Sequence, residues 1–76
     1  MYWIYVLRHP LTHRRYTGST DNLERRLAEH RIKKPGYILI YRETFETKHE
    51  AQAREKFLKT GDGRRWLEKR LLDLSD

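Results

Sequence analysis

The opening run Tyr2–Leu7, YWIYVL, restricts this chain more than any other segment. Six successive aromatic, β-branched or aliphatic residues without a helical period do not make an amphipathic surface helix, and they specify a strand. Pro10 and the polar residues of RHPLTHRR interrupt it, and Arg15–Gly18 resumes as a short second strand, so a hairpin with a loose basic tip is expected. The chain has 76 residues and no cysteine, which excludes disulfides and zinc-thiolate fingers and leaves one small core to hold the fold. So small a core hides few catalytic groups in a deep cavity. A shallow groove, suited to a polymer substrate, is the expected form of any active site.

Beyond the hairpin, Ser19-Thr20-Asp21-Asn22 is rich in helix-capping residues, and a helix is expected to start there, capped by Thr20 or Asp21, with Glu24 near its positive end. Leu23, Leu27 and Ile32 mark its buried stripe, and Arg26 and His30, four residues apart, share a face beside it. Pro35-Gly36 stops this helix. Tyr37–Phe45 (YILIYRETF) reads as a third strand, its continuous hydrophobicity predicting burial on both faces for part of its length. Thr47 caps a second helix over Lys48–Thr60, with Ala51, Ala53, Phe57 and Leu58 as apolar positions and Gly61 as the C-cap. Asp62-Gly63 reads as a turn, and Arg64–Leu74 as a third helix with Trp66, Leu67, Leu71 and Leu74 inward. Trp66 is assigned to the core against the second helix, and the final Ser75-Asp76 to a frayed end. The order β-β-α-β-α-α makes an α+β fold, one three-stranded sheet covered by helices in a single domain spanning residues 1–76.

Charge narrows the partner. Seventeen Lys and Arg against eleven Asp and Glu give +6, with a pI near 9.9. That balance, interleaved with Tyr2, Trp3, Tyr5, Tyr16, Tyr37, Tyr41 and Trp66, offers phosphate contacts and stacking surfaces for nucleic acid; the plain alternative is a solvated basic surface. No apolar stretch is long enough to cross a membrane, and YWIYVL follows the N-terminus without the features of a secretory leader. A reducing cytoplasm is the expected compartment. His9, His13, His30 and His49 show no paired metal-ligand spacing.

Five residues could carry chemistry: Tyr5, Tyr16, Arg26, His30 and Glu55. Singly, each has an ordinary explanation. Strand tyrosines are common, a helix arginine is usually solvated, His30 suits a helix C-terminus, and Glu55 can pair with Lys59 one turn on. In combination they form a pattern. Trp3-Ile4-Tyr5 is followed after ten residues by Tyr16-Thr17-Gly18, then by NLERRLAEH, then by EAQAREKFLK and GDGRRWL.

From Tyr2 to about Leu67 this order and spacing resemble the GIY-YIG endonuclease family, in particular small stand-alone bacterial members similar to the N-terminal catalytic domain of an excinuclease. The resemblance implies a three-stranded antiparallel sheet flanked by helices and cleavage of DNA phosphodiester bonds with one divalent metal ion, Mg²⁺ or Mn²⁺. It implies that Glu55 holds the metal, that Tyr16 is the general base or proton relay, that Tyr5 supports it, and that Arg26 holds the scissile phosphate. His30 takes a position near the reacting centre. A phosphodiester transition state gathers charge on oxygen, which an arginine fork and a metal ion stabilise. One carboxylate suffices when waters complete the shell, as Mg²⁺ prefers. A tyrosine ordinarily titrates at about 10 and needs the metal, Arg26 or His30 to act as a base. All five side chains are expected in one basin wide enough for one phosphate and one cation, and a Glu55 carboxylate on the opposite side of the sheet from the Tyr16 hydroxyl and the Arg26 guanidinium would end the nuclease argument.

Trp3 stands in place of the first-motif glycine, Thr17 in place of isoleucine, and Ser19 where excinuclease-type relatives often carry lysine. The chain ends soon after the third helix, with no separate DNA-recognition module expected. Arg14, Arg15, Ser19, Lys33, Lys34, Lys59, Arg64 and Arg65 are the expected nucleic-acid contacts, directed at the backbone and hence of low sequence specificity. The expected activity is a metal-dependent endonuclease in DNA repair or recombination, in a bacterial, nucleoid-associated setting, acting on DNA that is branched or damaged, with no small-molecule cofactor. The second reading is a non-catalytic or weakly catalytic binding module of the same fold, and a third is a small basic ribonucleoprotein component.

Overall fold

A computed structural model describes residues 1–74, with the side chain of Leu74 left out; the expectations placed on that side chain and on Ser75-Asp76 lie outside the described residues. Strands β1 (Tyr2–Arg8) and β2 (Arg15–Thr20) are followed by α1 (Leu23–Lys33), β3 (Ile38–Phe45), α2 (Lys48–Leu58) and α3 (Gly61–Leu74). The expected α+β order is present. β1 is the middle strand of an antiparallel sheet ordered β2-β1-β3.

Alternation along β1 sorts the molecule into two layers. Ile4 and Val6 face α2 and α3, where they pack with Ala51, Leu58 and Leu67. Tyr5 and Leu7 face α1 and pack with Leu23, flanked by Trp3, Tyr16, Leu27 and Tyr37. Burial on both faces therefore falls on β1, whose Ile4, Tyr5, Val6 and Leu7 are almost completely enclosed. The same expectation for β3 is corrected. β3 is an edge strand whose Ile38 and Leu39, at its start, are exposed, because among the described residues no strand pairs with its outer margin. A register shift opposite Val6 and Leu7 leaves Ile40 as the extra residue of β3.

Several boundaries differ from expectation, each for a local reason. Thr20 remains in β2, paired with Trp3, and its Oγ1 accepts from the Asn22 N–H. Asn22 is the N-cap of α1, its Oδ1 accepting from the Arg25 N–H at 3.0 Å. Ile32 is exposed, not buried: two residues on from the buried His30, it points to the opposite side of the helix, and His30 takes the inward place after Leu23 and Leu27. Ala53 on α2 is also exposed.

The α2–α3 junction differs most. Thr60, not Gly61, organises it: its hydroxyl donates to the Phe57 carbonyl at 2.6 Å and accepts from the Gly63 N–H at 3.0 Å. Gly61 opens α3, so Asp62-Gly63 is helix and not turn. Gly63 is buried against α2, where an added Cβ would overlap the Phe57 carbonyl, so glycine here permits the close helix crossing. Trp66 is not a core residue. Its ring lies at the surface under the Arg54 guanidinium, 4.2 Å from the centroid, and meets Tyr41 edge-on. Arg54 in turn grips Glu43 of β3 through two nitrogens at 2.8 and 3.2 Å. Among the described residues no helix is long and apolar enough to cross a membrane.

Candidate active site on the first-helix face

Tyr5 and Tyr16 project from adjacent strands on the α1 face, and His30 descends from α1 between them. The Tyr5 hydroxyl and His30 Nε2 share a buried 2.9 Å hydrogen bond. The ring centroids of Tyr16 and His30 lie 4.8 Å apart, and those of Tyr5 and Tyr16 6.1 Å apart. Gly18, directly opposite Tyr5, makes this arrangement possible. A Cβ there would stand 2.7 Å from the Tyr5 hydroxyl and 3.1 Å from the Tyr16 ring. The glycine of the second motif is thus a space requirement of the tyrosine pair.

Arg26, one turn before His30, brings the cation. One of its terminal nitrogens donates to Glu29 at 3.2 Å, and among the described residues its buried Nε has no hydrogen-bond partner. The guanidinium and the tyrosines influence one another. Burial and the neighbouring Tyr16 push the Tyr5 hydroxyl well above its ordinary pKa, against the pull of Arg26, so Tyr5 is a neutral phenol at any physiological pH. The neighbouring Tyr5, which is charged only at high pH, and the bond to Glu29 raise the pKa of Arg26. Burial, then the charges of Arg26 and Lys34, lower the pKa of His30 and favour its neutral imidazole. Lys34, the C-cap of α1, lies over the Tyr16 ring at 5.0 Å and over Tyr37 at 5.7 Å. Lys34 and Glu29 are therefore neighbours of the cluster; the first was expected as a backbone contact, the second was not expected at all.

Glu55 does not share that basin. It belongs to α2, which covers the opposite face of the sheet. Its carboxylate accepts from Lys59 Nζ at 2.9 Å. Burial pushes its pKa up, but the bond from Lys59, the nearby Ser19 on β2 and the lysine charge together outweigh burial and lower it, and the carboxylate is held ionised. β2 is an edge strand, and Ser19, paired with Ile4, faces the α2 side of the sheet as Glu55 does. Tyr5, Tyr16, Arg26 and His30 are brought together on the α1 face, but Glu55 lies on the other face, so the five side chains do not share the one basin expected, and this placement counts against a nuclease site. Among the described residues no three His, Cys, Asp or Glu side chains stand together as a metal-binding group. Glu55 would be a lone protein ligand, ionised and at the surface, which fits a hydrated hard cation and no closed cage.

The remaining basic residues divide by face. Lys33 and Lys34 end α1, and Arg14 is exposed at the hairpin tip. That tip is ordered, with His9 Nδ1 accepting from the Leu11 and Thr12 N–H groups. Arg15, Lys59, Arg64 and Arg65 line a groove of about 950 Å³ on the α2–α3 side, together with Arg8 and His13. Neither of these last two was singled out from the sequence, although a hairpin register pairing Leu7 with Tyr16 sets Arg8 opposite Arg15.

The model of the GIY-YIG catalytic domain family matches residues 1–69. No curated protein and no solved structure matches the chain significantly. With a family match that spans both tyrosine motifs, the α1 segment and Glu55, and with the three-stranded α+β architecture beneath it, this chain belongs to the GIY-YIG family.

Proposed function

We propose that the protein is an endonuclease that hydrolyses DNA phosphodiester bonds with the help of one divalent metal ion, and that Tyr5, Tyr16, Arg26, His30 and Glu55 are its active-site residues. The observation that carries this reading is the Tyr5–His30–Tyr16 cluster with Arg26 beside it, in a chain whose family is a nuclease family. Tyr16 is half-buried, so its hydroxyl can reach a substrate that the enclosed Tyr5 cannot. In this scheme Tyr16 gives up its own hydroxyl proton as it takes one from the attacking water, and neutral His30, whose ring lies against it, is the group able to receive the proton released. Tyr5 fixes the imidazole, and Arg26 clamps the phosphate with guanidinium donors that Glu29 does not occupy. Glu55 would hold Mg²⁺ or Mn²⁺, which when bound supplies charge stabilisation to the phosphoryl oxygens.

The donors involved address phosphate and not base edges, which supports low sequence specificity and leaves branched or damaged DNA in repair or recombination as the proposed substrates. A cytoplasmic, nucleoid-associated location follows from that role. The test is nicking of supercoiled plasmid in Mg²⁺ and Mn²⁺. Glu55→Ala is expected to abolish nicking with the circular dichroism unchanged; undiminished nicking by that variant would remove Glu55 as the metal ligand.

A second reading is favoured by one observation: the Glu55 carboxylate is engaged by Lys59 on the far side of the sheet from Tyr16. In that reading the domain binds nucleic acid without cutting it. Salt-sensitive DNA binding by the wild type, with no nicking in either metal, would establish it.

A further inference from the structure

The groove on the α2–α3 side contains an arrangement that the packing of the fold does not require. Arg8 and Arg15 are direct cross-strand partners on β1 and β2. Both point to the same face as Ile4 and Val6, toward the groove. Like charges directly opposite in a sheet destabilise it, so this pair carries a cost that hairpin geometry alone does not explain. Arg64, in the first turn of α3, closes on them from the other wall. Burial and the charges of Arg8 and Arg64 lower the pKa of Arg15.

Compensation is incomplete. Arg15 pairs with Glu68, Arg65 with Asp62, and Lys59 with Glu55. Among the described residues, Arg8 and Arg64 form no ion pair, and the buried Nε of Arg8 has no hydrogen-bond partner. Guanidinium forks match phosphate oxygens, and an anion between them would relieve both the repulsion and the unpaired donor. The groove is also continuous with the candidate active site: Tyr16 and Thr17 line one wall, and Lys59, bonded to Glu55, lines another.

We infer that Arg8, Arg15 and Arg64 form a second phosphate-binding subsite, which grips a nucleic-acid backbone phosphate flanking the one held at Tyr16 and Arg26. The inference rests on the nucleic-acid partner proposed above and not on cleavage. A chain bound this way crosses the β2 edge, with one phosphate on the tyrosine face and the next ones in the arginine groove.

The experiment is fluorescence anisotropy of a labelled DNA duplex across a salt series, without divalent metal, for the wild type, Arg8→Gln/Arg64→Gln and Arg31→Gln. Arg31 is an exposed α1 residue outside both sites and controls for loss of overall charge. The double variant is expected to bind about tenfold or more weakly and to lose about two units of salt slope, with Arg31→Gln close to wild type. Arg64 is exposed, so the single Arg64→Gln variant, expected to lose about one unit of slope, serves if the double variant does not fold. Equal losses in Arg31→Gln and in the groove variants, or wild-type slopes throughout, would overturn the subsite. Absence of nicking by the wild type would overturn the nuclease reading alone, since the anisotropy comparison decides the groove independently.

Discussion

The two faces of the sheet solve different problems. The α2–α3 face is an aliphatic core in which Ile4, Val6, Ala51, Leu58 and Leu67 enclose one another. The α1 face buries nearly as tightly at Tyr5 and Leu7, but its contacts are a phenol, an imidazole and a guanidinium. Two of the buried atoms without a hydrogen-bond partner, Arg26 Nε and His30 Nδ1, belong to it. Among the described residues these polar groups lack partners, which costs stability, so the α1 face is held less firmly than the aliphatic one. A small sheet can carry such a face only if the other supplies the cohesion.

Substitutions on the aliphatic face should therefore have the largest effects on folding. Gly63→Ala is the most severe: its methyl would overlap the Phe57 carbonyl, and moving α3 off α2 breaks the layer. A cost of about 4 kcal/mol or more is expected, enough to unfold a domain of marginal stability. Circular dichroism should show a largely unfolded chain; a cooperative melt near that of the wild type would mean that the crossing is not as close as described. Leu67→Ala follows, at about 2–5 kcal/mol by urea denaturation, because Leu67 is almost fully enclosed among α2 and β1 side chains. A loss below about 1 kcal/mol would break the contrast between the faces, since ordinary surface changes fall near ±0.5 kcal/mol.

This contrast also explains what could be read from the residues in order. Strands and helices were legible because β1 lacks a helical period and α1 has one. The Tyr5, Tyr16, Arg26 and His30 set was legible because its spacing is a family pattern, and the register of β1 and β2 then brings those side chains to one face. Long-range facts were not legible. The hydrophobic run of β3 looks like that of a central strand, and only the order β2-β1-β3 makes it an edge. Four capping residues in succession, Ser19 to Asn22, leave the cap undecided until Thr20 pairs with Trp3. Gly61 and Gly63 read as chain punctuation, whereas one opens α3 and the other serves helix contact. Glu55 was correctly placed on α2, but nothing in its spacing tells which face of the sheet α2 covers.

On the α1 face smaller stability effects are expected. Tyr5→Phe keeps the ring and removes the hydroxyl from His30 Nε2, leaving an imidazole with both nitrogens buried and unpaired. A loss of about 1–3 kcal/mol is expected, smaller than for Leu67→Ala. Should Tyr5→Phe prove as stable as the wild type, the hydrogen bond is not a structural tie, and His30 is held by its ring contacts alone.

The smallest effect is a pH dependence confined to one group. His30 is surrounded by Tyr5, Tyr16, Arg26, Glu29, Lys33 and Lys34, and burial followed by the Arg26 and Lys34 charges sets its folded pKa below the ordinary histidine value. The native state thus binds the His30 proton less readily than the unfolded chain does. Above the unfolded pKa of about 6.5 both states are neutral and the full stability is present. As pH falls through that value the unfolded chain takes up the proton first, and stability declines until the folded pKa is passed. Other groups titrate in the same range, so the measurement is a difference: unfolding free energy from pH 8 to pH 5 for the wild type and for His30→Gln, on the order of one proton at most. The wild type should lose more stability than the variant on acidification. Parallel curves would show that the imidazole is as easily protonated in the fold as outside it, and would remove the electrostatic basis for assigning it the neutral, proton-accepting role beside Tyr16.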